Sequence, residues 1–171
     1  MRLHPEPGNN ASTTTALSHN RRVRISAKED YAVRAALELA AAEGNALKRE
    51  QIAEAQKIPI AFLQNILTEL RHAELVEAQR GRDGGFRLAR PASQITMADV
   101  VRAVSGPLVT VRGTRPQLVE YPESAEPLKE VWVAVRANVR AILEHVTLAD
   151  LAAGHLRSAI RKLATDPNNW S

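Results

Sequence analysis

The sequence predicts a mainly α-helical protein with one small β-hairpin, and three observations support this fold class. Apolar residues recur at helical spacing through most of residues 26–154. Residues 75–89 instead alternate between apolar and polar side chains and turn on glycine, as a hairpin does. Aromatic residues make up only 4% of the 171 residues, so the core must consist of Ala, Leu, Val and Ile, which favours helices.

Residues 1–22 are predicted to be a disordered tail, because they are rich in Asn, Thr, Ser and Pro and lack periodicity. They contain no apolar region typical of a secretory signal. The chain has no run of about 18 apolar residues, so no membrane span is expected and a cytoplasmic location is the simplest one. Whether translation starts at Met1 or near Val23 stays open.

Two helices are predicted after the tail. Ser26, followed three residues later by Glu29, forms a capping box that starts the first helix near Ala27. Gly44 and the asparagine after it stop this helix. The segment "KREQIAEAQ" predicts a short second helix with Ile52 turned inward.

A third helix is predicted in "KIPIAFLQNILTELRHAEL", where Pro59 is a favourable first residue. Its apolar side chains recur at helical spacing and are expected to face the core. These inward residues are Phe62, Leu63, Ile66, Leu67 and Leu70. The opposite side is then formed by Ile60, Ala61, Gln64, Asn65 and Thr68.

A hairpin follows in "LVEAQRGRDGGFRLAR", with strands near residues 75–79 and 85–89. An arginine- and glycine-rich loop forms its tip. Thr96 and Asp99 then cap another helix, "MADVVRAVSG".

Residues 106–126 have little pattern and are predicted to form a variable loop. One long helix is expected over residues 127–154, from Pro127 to Gly154, because its apolar residues follow a heptad. A lone amphipathic helix must bury its apolar stripe, so this helix is expected to mediate dimerisation. The predicted dimer interface comprises Leu128, Trp132, Val135, Val139, Ile142 and Val146. Residues 155–171 are expected to form a C-terminal tail, with a short helix followed by a frayed end.

Three helices followed by a hairpin is the order of a winged helix-turn-helix domain, here predicted over residues 23–105. In that arrangement the third helix enters the major groove of DNA and the hairpin lies beside it. Gln64 and Asn65 carry amides that can pair with adenine edges. Arg80, Arg82 and Arg87 can bind phosphates or a narrow minor groove. The predicted DNA-binding residues are Lys28, Ala61, Gln64, Asn65, Arg80, Gly81, Arg82, Gly84 and Gly85.

Simpler interpretations of the same residues stay open, because exposed amides and solvated hairpins are common on protein surfaces. The formal net charge of +4 permits an acidic partner without demanding one. Residues 80–90, however, hold four Arg against one Asp, which favours local attraction to phosphate. A nucleotide cradle is excluded because the glycines do not precede a helix start or a Gly-Lys-Ser/Thr pattern.

Catalysis and cofactor binding are not expected. The chain has no cysteine, which excludes disulfides, a thiol nucleophile and a cysteine-held iron–sulfur cluster. Its five histidines are scattered without metal-ligand spacing. No catalytic residue, metal ligand or cofactor is therefore predicted.

Three segments stand in order: "RISAKEDYAVRAALELA", "QIAEAQKIPIAFLQNILTELRHAELVEAQRGRDGGFRLAR" and "ITMADVVRAVSG". Together they resemble the Rrf2 family of bacterial winged-helix transcription regulators over residues 23–108. The resemblance implies a homodimer that binds operator DNA, with long C-terminal helices crossing between protomers. Many members hold an iron–sulfur cluster through three cysteines in the loop matching residues 106–126. This loop contains neither Cys nor His, so that mode of cluster binding is excluded.

Two further departures from the family pattern bear on function and stability. Gln64 stands where relatives frequently have Glu, so no relative's operator preference is transferred. Glu74 stands where Gly often ends the third helix, which implies a small local cost.

We therefore expect a sequence-specific DNA-binding transcriptional regulator, a repressor, acting as a homodimer without an iron–sulfur cluster. The alternative is a winged-helix module that binds protein or RNA. The signal could be a small molecule between the domain and the long helix, a partner protein, or none. Residues that could line such an effector pocket are Trp132, Tyr121, Arg112 and Arg115. The operator, the target genes and the sign of regulation stay open.

Overall fold

The computed structural model describes residues 25–81 and 84–170. The predicted tail at residues 1–22 and the wing residue Arg82 lie outside these ranges. The described helices and strands follow in chain order: α1 Ala27–Ala41, α2 Arg49–Gln56, α3 Ile60–His72, β1 Val76–Gln79, β2 Gly85–Leu88, α4 Met97–Ser105, α5 Pro127–Leu143, α6 Leu148–Ala152 and α7 Ser158–Thr165. The predicted fold class, mainly α with one antiparallel hairpin, is confirmed.

Helix α1 lies at the centre of the domain and contacts α2, α3, α4, α6 and β2. Three of its four buried residues are alanines, Ala32, Ala35 and Ala36, and the fourth is Leu39. Small side chains let neighbouring helices approach α1 closely, while the larger core residues come from the surrounding elements. Those larger residues include Ile52, Leu63, Ile66, Leu67, Leu70, Val76, Ile95, Val100 and Leu148.

The predicted capping boxes are present at α1 and α4. The Ser26 hydroxyl accepts a hydrogen bond from the Glu29 amide, and Glu29 Oε2 accepts one from the Ser26 amide at 2.7 Å. Thr96 and Asp99 form the same reciprocal pair at the start of α4. These caps satisfy amides that no helical carbonyl can reach.

The inward orientation predicted for Phe62 is wrong, because its side chain is 56% exposed. Helix α3 buries only Leu63, Ile66, Leu67 and Leu70. Phe62 precedes Leu63 by one residue, about 100° around the helix, so it emerges at the edge of the apolar stripe. Pro59 is the N-cap of α3 and lies one residue before the first helical position.

The hairpin is anchored to the body by a backbone bridge. Its strands pair with Val76 opposite Leu88 and Gln79 opposite Gly85. Leu47, just before α2, exchanges both backbone hydrogen bonds with Phe86, at 2.9 and 2.8 Å. The wing is therefore held against the start of α2 by main-chain pairing.

The helix predicted over residues 127–154 is divided in two. Helix α5 ends at Leu143, and Thr147 caps the separate helix α6 through a capping box with Asp150. A heptad pattern cannot reveal this break, because a new capping box starts a second helix within the repeat.

Val146 is consequently not part of the predicted helical seam. It lies in the break between α5 and α6, is only 3% exposed, and accepts a hydrogen bond from the Met97 amide at 2.9 Å. The Leu148 amide donates to the Ile95 carbonyl at 2.9 Å on the same stretch. Val146 thus belongs to the core of its own chain.

The variable loop packs against α5 and contains two short 3-10 turns, Pro116–Leu118 and Glu123–Ala125. Within the loop, Pro116 and Val119 are buried. The Arg136 guanidinium on α5 donates to the Val109 carbonyl at 2.9 Å. The short helix expected in the C-terminal tail is α7, and the Trp170 indole donates a hydrogen bond to the Ala164 carbonyl.

An ionic contact ties α5 to α4 just before the break. Arg102 of α4 and Arg140 of α5 both donate to Oε1 of Glu144, the residue that follows α5. Hydrogen bonds from Arg140 and then Arg102 lower the pKa of Glu144 from its usual value of 4.5 to about 2.

We expect Gly85→Ala to destabilise the protein by about 1–3 kcal/mol. A Cβ at residue 85 would lie 2.4 Å from the Leu47 carbonyl oxygen, so the wing and the bridge must separate to accept it. Urea unfolding measures the effect, with the exposed strand residue Ala78→Ser as the control, expected to change stability by less than about 0.5 kcal/mol. An unaltered midpoint for Gly85→Ala would contradict the close approach.

The stability difference between the wild type and Glu144→Gln is expected to shrink in acid. A carboxyl whose pKa is lowered by folding stabilises the native state above its unfolded pKa, near 4.5, and loses that contribution as pH falls towards 2. Urea unfolding of both proteins at several pH values between neutrality and 2 measures the difference. A difference that stays constant across this range would show that the two ion pairs do not contribute.

Candidate nucleic-acid interface

The first two turns of α3 present an exposed face of mixed polarity. Ala61, Gln64 and Asn65 are all exposed there, as predicted, with Ile60 beside them. The turn before α3 sets this orientation: Lys57 adopts a left-handed conformation with φ of 52°, and the buried Ile58 donates its amide to the Ala53 carbonyl. This tight α2–α3 connection leaves the start of α3 projecting from the surface.

Gln64 is paired with an arginine that the sequence analysis did not identify. Arg49, the first residue of α2, donates from Nη1 to Oε1 of Gln64 at 2.6 Å and also binds Glu50. A hydrogen bond from its own backbone and then Arg49 lower the pKa of Glu50, so the carboxylate form is favoured. Arg49 and Gln64 are fifteen residues apart, so only the packing of α2 on α3 brings them together.

Lys28, a predicted DNA contact that stays a prediction, forms two hydrogen bonds within the chain. Its ammonium donates to Oε1 of Glu69 on α3 at 2.8 Å and to the Val104 carbonyl on α4 at 2.7 Å. Two of its three donors are therefore used within the chain. Lys28 joins α1 to the two neighbouring helices.

An aromatic cluster flanks the exposed face of α3. The rings of Phe62 and Tyr31 meet edge to face with centroids 6.3 Å apart, and the Arg34 guanidinium lies 5.6 Å from the Tyr31 ring centre. Arg34 also pairs with Asp30 at 3.2 Å. The exposed Phe62 ring offers an apolar surface of the kind that contacts the methyl group of thymine.

At the tip of the wing, Arg80 and Gly81 are exposed. Gly81 has φ of 111°, which favours glycine, and its carbonyl accepts a hydrogen bond from the Gly84 amide at 3.0 Å. A Cβ on Gly84 would lie 2.5 Å from the Gln79 carbonyl oxygen. Gly81 and Gly84 are thus required by the tight turn that presents Arg80.

Two wing-base residues have structural roles within the chain. Gly85 lies in β2 against Leu47, where a side chain would clash with backbone, so it is needed for the packing of the wing, and its contact with DNA stays a prediction. Arg87 pairs with Glu77 across the hairpin at 2.6 Å, which occupies part of its charge. Arg80 is therefore the described wing arginine best placed for phosphate.

The apolar stripe of α5 is only partly covered by its own chain. Trp132, Val135 and Val139 are half-buried on the side that faces the variable loop and α4. Of the other predicted interface residues on this helix, Leu128 is 44% exposed and Ile142 38% exposed. The adjacent Val131, 53% exposed, continues this uncovered edge.

Within residues 25–81 and 84–170, no helix is long and apolar enough to cross a bilayer.

An exposed helix at the end of a tight helix-turn-helix, with a glycine-hinged basic hairpin beside it, defines the class: a winged helix-turn-helix DNA-binding protein. The family model for Rrf2, described as an iron-dependent transcriptional regulator, matches residues 25–154. The chain therefore belongs to the Rrf2 family of transcriptional regulators.

Individual relatives agree with this assignment. A predicted HTH-type transcriptional regulator of Mycobacterium tuberculosis is 47% identical over 145 residues, covering 84% of this chain and 90% of the relative. The Bacillus subtilis regulator CymR is 32% identical over 133 residues, covering 77% of this chain and 91% of CymR. The solved structure of B. subtilis CymR, described as the global cysteine regulator, aligns with a TM-score of 0.63 at 33% identity, covering 76% of this chain and 96% of that one. The solved structure of T. potens IscR aligns with a TM-score of 0.63 at 28% identity, covering 81% of this chain and 96% of that one.

The residues of this chain do not fit the iron chemistry in the family's description. Cysteine is absent from the sequence. Among the described residues, no group of three or more His, Asp or Glu side chains is arranged to hold a metal ion. A cluster ligated by cysteine thiolates has no ligands here.

Proposed function

We propose that this protein is a sequence-specific repressor that binds operator DNA as a homodimer and does so without an iron–sulfur cluster. The observation that carries the proposal is the juxtaposition of the exposed α3 face with a basic wing on an Rrf2-family fold. Occupation of a promoter by such a dimer is sufficient to exclude other proteins, which is why we favour repression. Since the proposed partner is chromosomal DNA, its place of action is the cytoplasm.

Helix α3 supplies the base-reading groups in this proposal. Oε1 of Gln64 accepts from Arg49 and retains a second lone pair, while its amide nitrogen is left to donate to a base. Asn65 is exposed and can pair with an adenine edge, and Phe62 can contact a thymine methyl. Arg49 adds a positive charge at this point, suited to phosphate or guanine.

The wing supplies attraction that does not depend on sequence. Arg80 is exposed at the tip, and Arg82 follows Gly81 in the chain. Their guanidinium groups would neutralise phosphates beside the groove that α3 occupies. A module that binds protein or RNA is the alternative, and it predicts no preference for a two-fold-symmetric DNA duplex.

Dimerisation is supported by the uncovered edge of α5. Leu128, Val131 and Ile142 are large apolar side chains exposed on one edge of a single helix. A second copy of α5 would remove this strip from water and place two α3 helices on one face of the DNA. Trp132, Val135 and Val139 form the inner border of the same stripe, so they would take part only at its margin.

Replacing both Arg80 and Arg82 with alanine should weaken operator binding by no more than a few kcal/mol and lower the salt slope by about two, because two phosphate contacts are lost. The operator is obtained first by selecting genome fragments with the purified protein. Fluorescence anisotropy at several salt concentrations measures the affinity. Arg157→Ala with Lys162→Ala, which removes the same charge near α7, is the matched control and should leave the slope unchanged.

Gln64→Ala, titrated in the same way, tests whether α3 reads bases. It should lower affinity for the operator by about 1–3 kcal/mol and leave binding to unrelated duplexes unchanged. Sequence-specific DNA binding would be refuted if the wild type and Gln64→Ala bound every duplex equally well. It would also be refuted if the wild type bound no duplex.

Val131→Glu with Ile142→Glu should convert the dimer into a monomer, because two charges per chain would enter the helix contact. These positions suit the test since they are exposed in the single chain, whereas Val135 and Val139 also pack internally. Light scattering measures the mass, and circular dichroism checks helicity. Ala137→Glu, on the opposite side of α5, is the control, and a double variant that remains dimeric would refute this interface.

A further inference from the structure

Arginines from three separate segments converge where the variable loop meets α4 and α5. Arg102 comes from α4, while Arg136 and Arg140 lie one turn apart on α5. Arg102 and Arg140 bond the same oxygen of Glu144, which fixes their guanidinium groups side by side. Arg136 bonds the Val109 carbonyl of the loop at 2.9 Å.

A fourth arginine comes from the loop itself. Arg115 directly precedes the Pro116–Leu118 turn that packs against α5. The pKa of Arg136 is lowered, first by partial burial and then by the positive charges of Arg140, Arg115 and Arg102. Arg140, Arg115 and Arg102 are therefore all near enough to Arg136 to act on it electrostatically.

The charges at this place are not balanced. Arg102 and Arg140 share one carboxylate, that of Glu144, and Arg136 bonds a backbone carbonyl, which carries no net charge. Like charges held together repel, and the repulsion is relieved when an anion binds between them. Guanidinium groups also match carboxylate and phosphate oxygens in pairs, with two parallel hydrogen bonds for each arginine.

We propose that Arg102, Arg115, Arg136 and Arg140, here named the arginine junction, bind a small polyanion that carries carboxylate or phosphate groups. A compact molecule with two or more anionic groups can bridge guanidiniums of the loop and of α5, which a single chloride cannot. None of the four residues belongs to α2, α3 or the hairpin, so the junction is distinct from the proposed DNA-reading surface.

Binding at the junction would act on the contact between α4 and α5. An anion would compete with Glu144 for Arg102 and Arg140, or add to the contact from the side of Arg115 and Arg136. Helix α4 packs on α1 and α3, so a change at the contact between α4 and α5 can reach the proposed DNA-reading surface. The anion shifts the protein between two arrangements of α5 only if the two arrangements bind the anion with different affinities. This consequence rests on the proposed function, whereas anion binding itself does not.

Isothermal titration of the full chain with pyrophosphate and, separately, with citrate tests the proposal in the absence of DNA. Sodium chloride keeps the ionic strength constant throughout. We expect at least one probe to saturate at one molecule per protomer and to raise the melting temperature by mass action. The probe that binds distinguishes a phosphate ligand from a carboxylate ligand.

Variants locate the binding. Arg115→Gln with Arg136→Gln should weaken it at least about tenfold, because two charge-assisted contacts are lost. Arg115→Gln alone should weaken anion binding by a smaller factor. This single variant keeps the hydrogen bond from Arg136 to the loop, so it still tests the proposal if the double variant does not fold. Glu144→Gln removes the competing charge and should tighten binding by about fivefold. Arg157→Gln with Lys162→Gln is the charge-matched control, since both residues are exposed near α7, and it should bind as the wild type does.

Three outcomes would overturn the proposal. The first is that neither probe saturates. The second is that chloride at the same ionic strength reproduces the whole stabilisation, which would mean screening only. The third is unchanged binding in both Arg115 variants, or a loss on Arg80→Ala instead, which would move the anion to the DNA-reading surface. Failure of the proposed function would appear in the DNA titrations and in light scattering, neither of which measures anion binding, so the two failures are distinguishable.

Discussion

The close packing around α1 is the constraint on which the rest of the structure depends. The buried side of α1 consists mainly of the methyl groups of Ala32, Ala35 and Ala36. These small side chains let α2, α3, α4 and α6 all pack close to the axis of α1. Because interiors are packed to crystal density, a larger side chain at these positions would push several helices outward at once. Leu39 adds the one large side chain that α1 buries in this core.

This packing also determines what the protein presents to a partner. With Leu63, Ile66, Leu67 and Leu70 fixed inward, the opposite side of α3 is exposed and carries Gln64 and Asn65. The wing is positioned by the main-chain bridge between Leu47 and Phe86 and by the buried side chain of Val76. Since Leu47 lies two residues before Arg49, which contacts Gln64, short links connect the wing base with α3.

The sequence was sufficient where the determinants are local. The capping boxes at Ser26 and Thr96, the glycine turn of the wing and the inward stripe of α3 each involve residues a few positions apart. Thr147 with Asp150 is the same kind of signal, but the heptad runs up to Val146, directly before it, and favours one continuous helix. Lys57 and Glu74 both take left-handed conformations, with φ of 52° and 56°, although neither is glycine, so residue type alone did not mark the turn after α2.

What the sequence could not predict depends on tertiary packing. The pairing of Arg49 with Gln64 and that of Lys28 with Glu69 join residues on different helices. The convergence of Arg102, Arg115 and Arg136 needs a loop to fold back on α5, and no periodicity indicates such a fold. The inward orientation predicted for Phe62 is wrong for a related reason. A period of 3.6 residues gives the angle of a side chain around its helix, but it does not show how far the neighbouring helices cover that side chain.

The break at residues 144–147 separates two mechanical parts of the chain. Backbone hydrogen bonds from Met97 to Val146 and from Leu148 to Ile95 hold the far side of the break to the helical domain, whereas α5 lies before the break. The surface formed by α3 and the wing is therefore built without residues of α5. In the proposed dimer, α5 would set the spacing of the two domains. Inserting or deleting one helical turn, about 5.4 Å, would change that spacing and leave the surface of each domain intact. The distance between two DNA half-sites would then be adjustable separately from the bases that α3 is proposed to read.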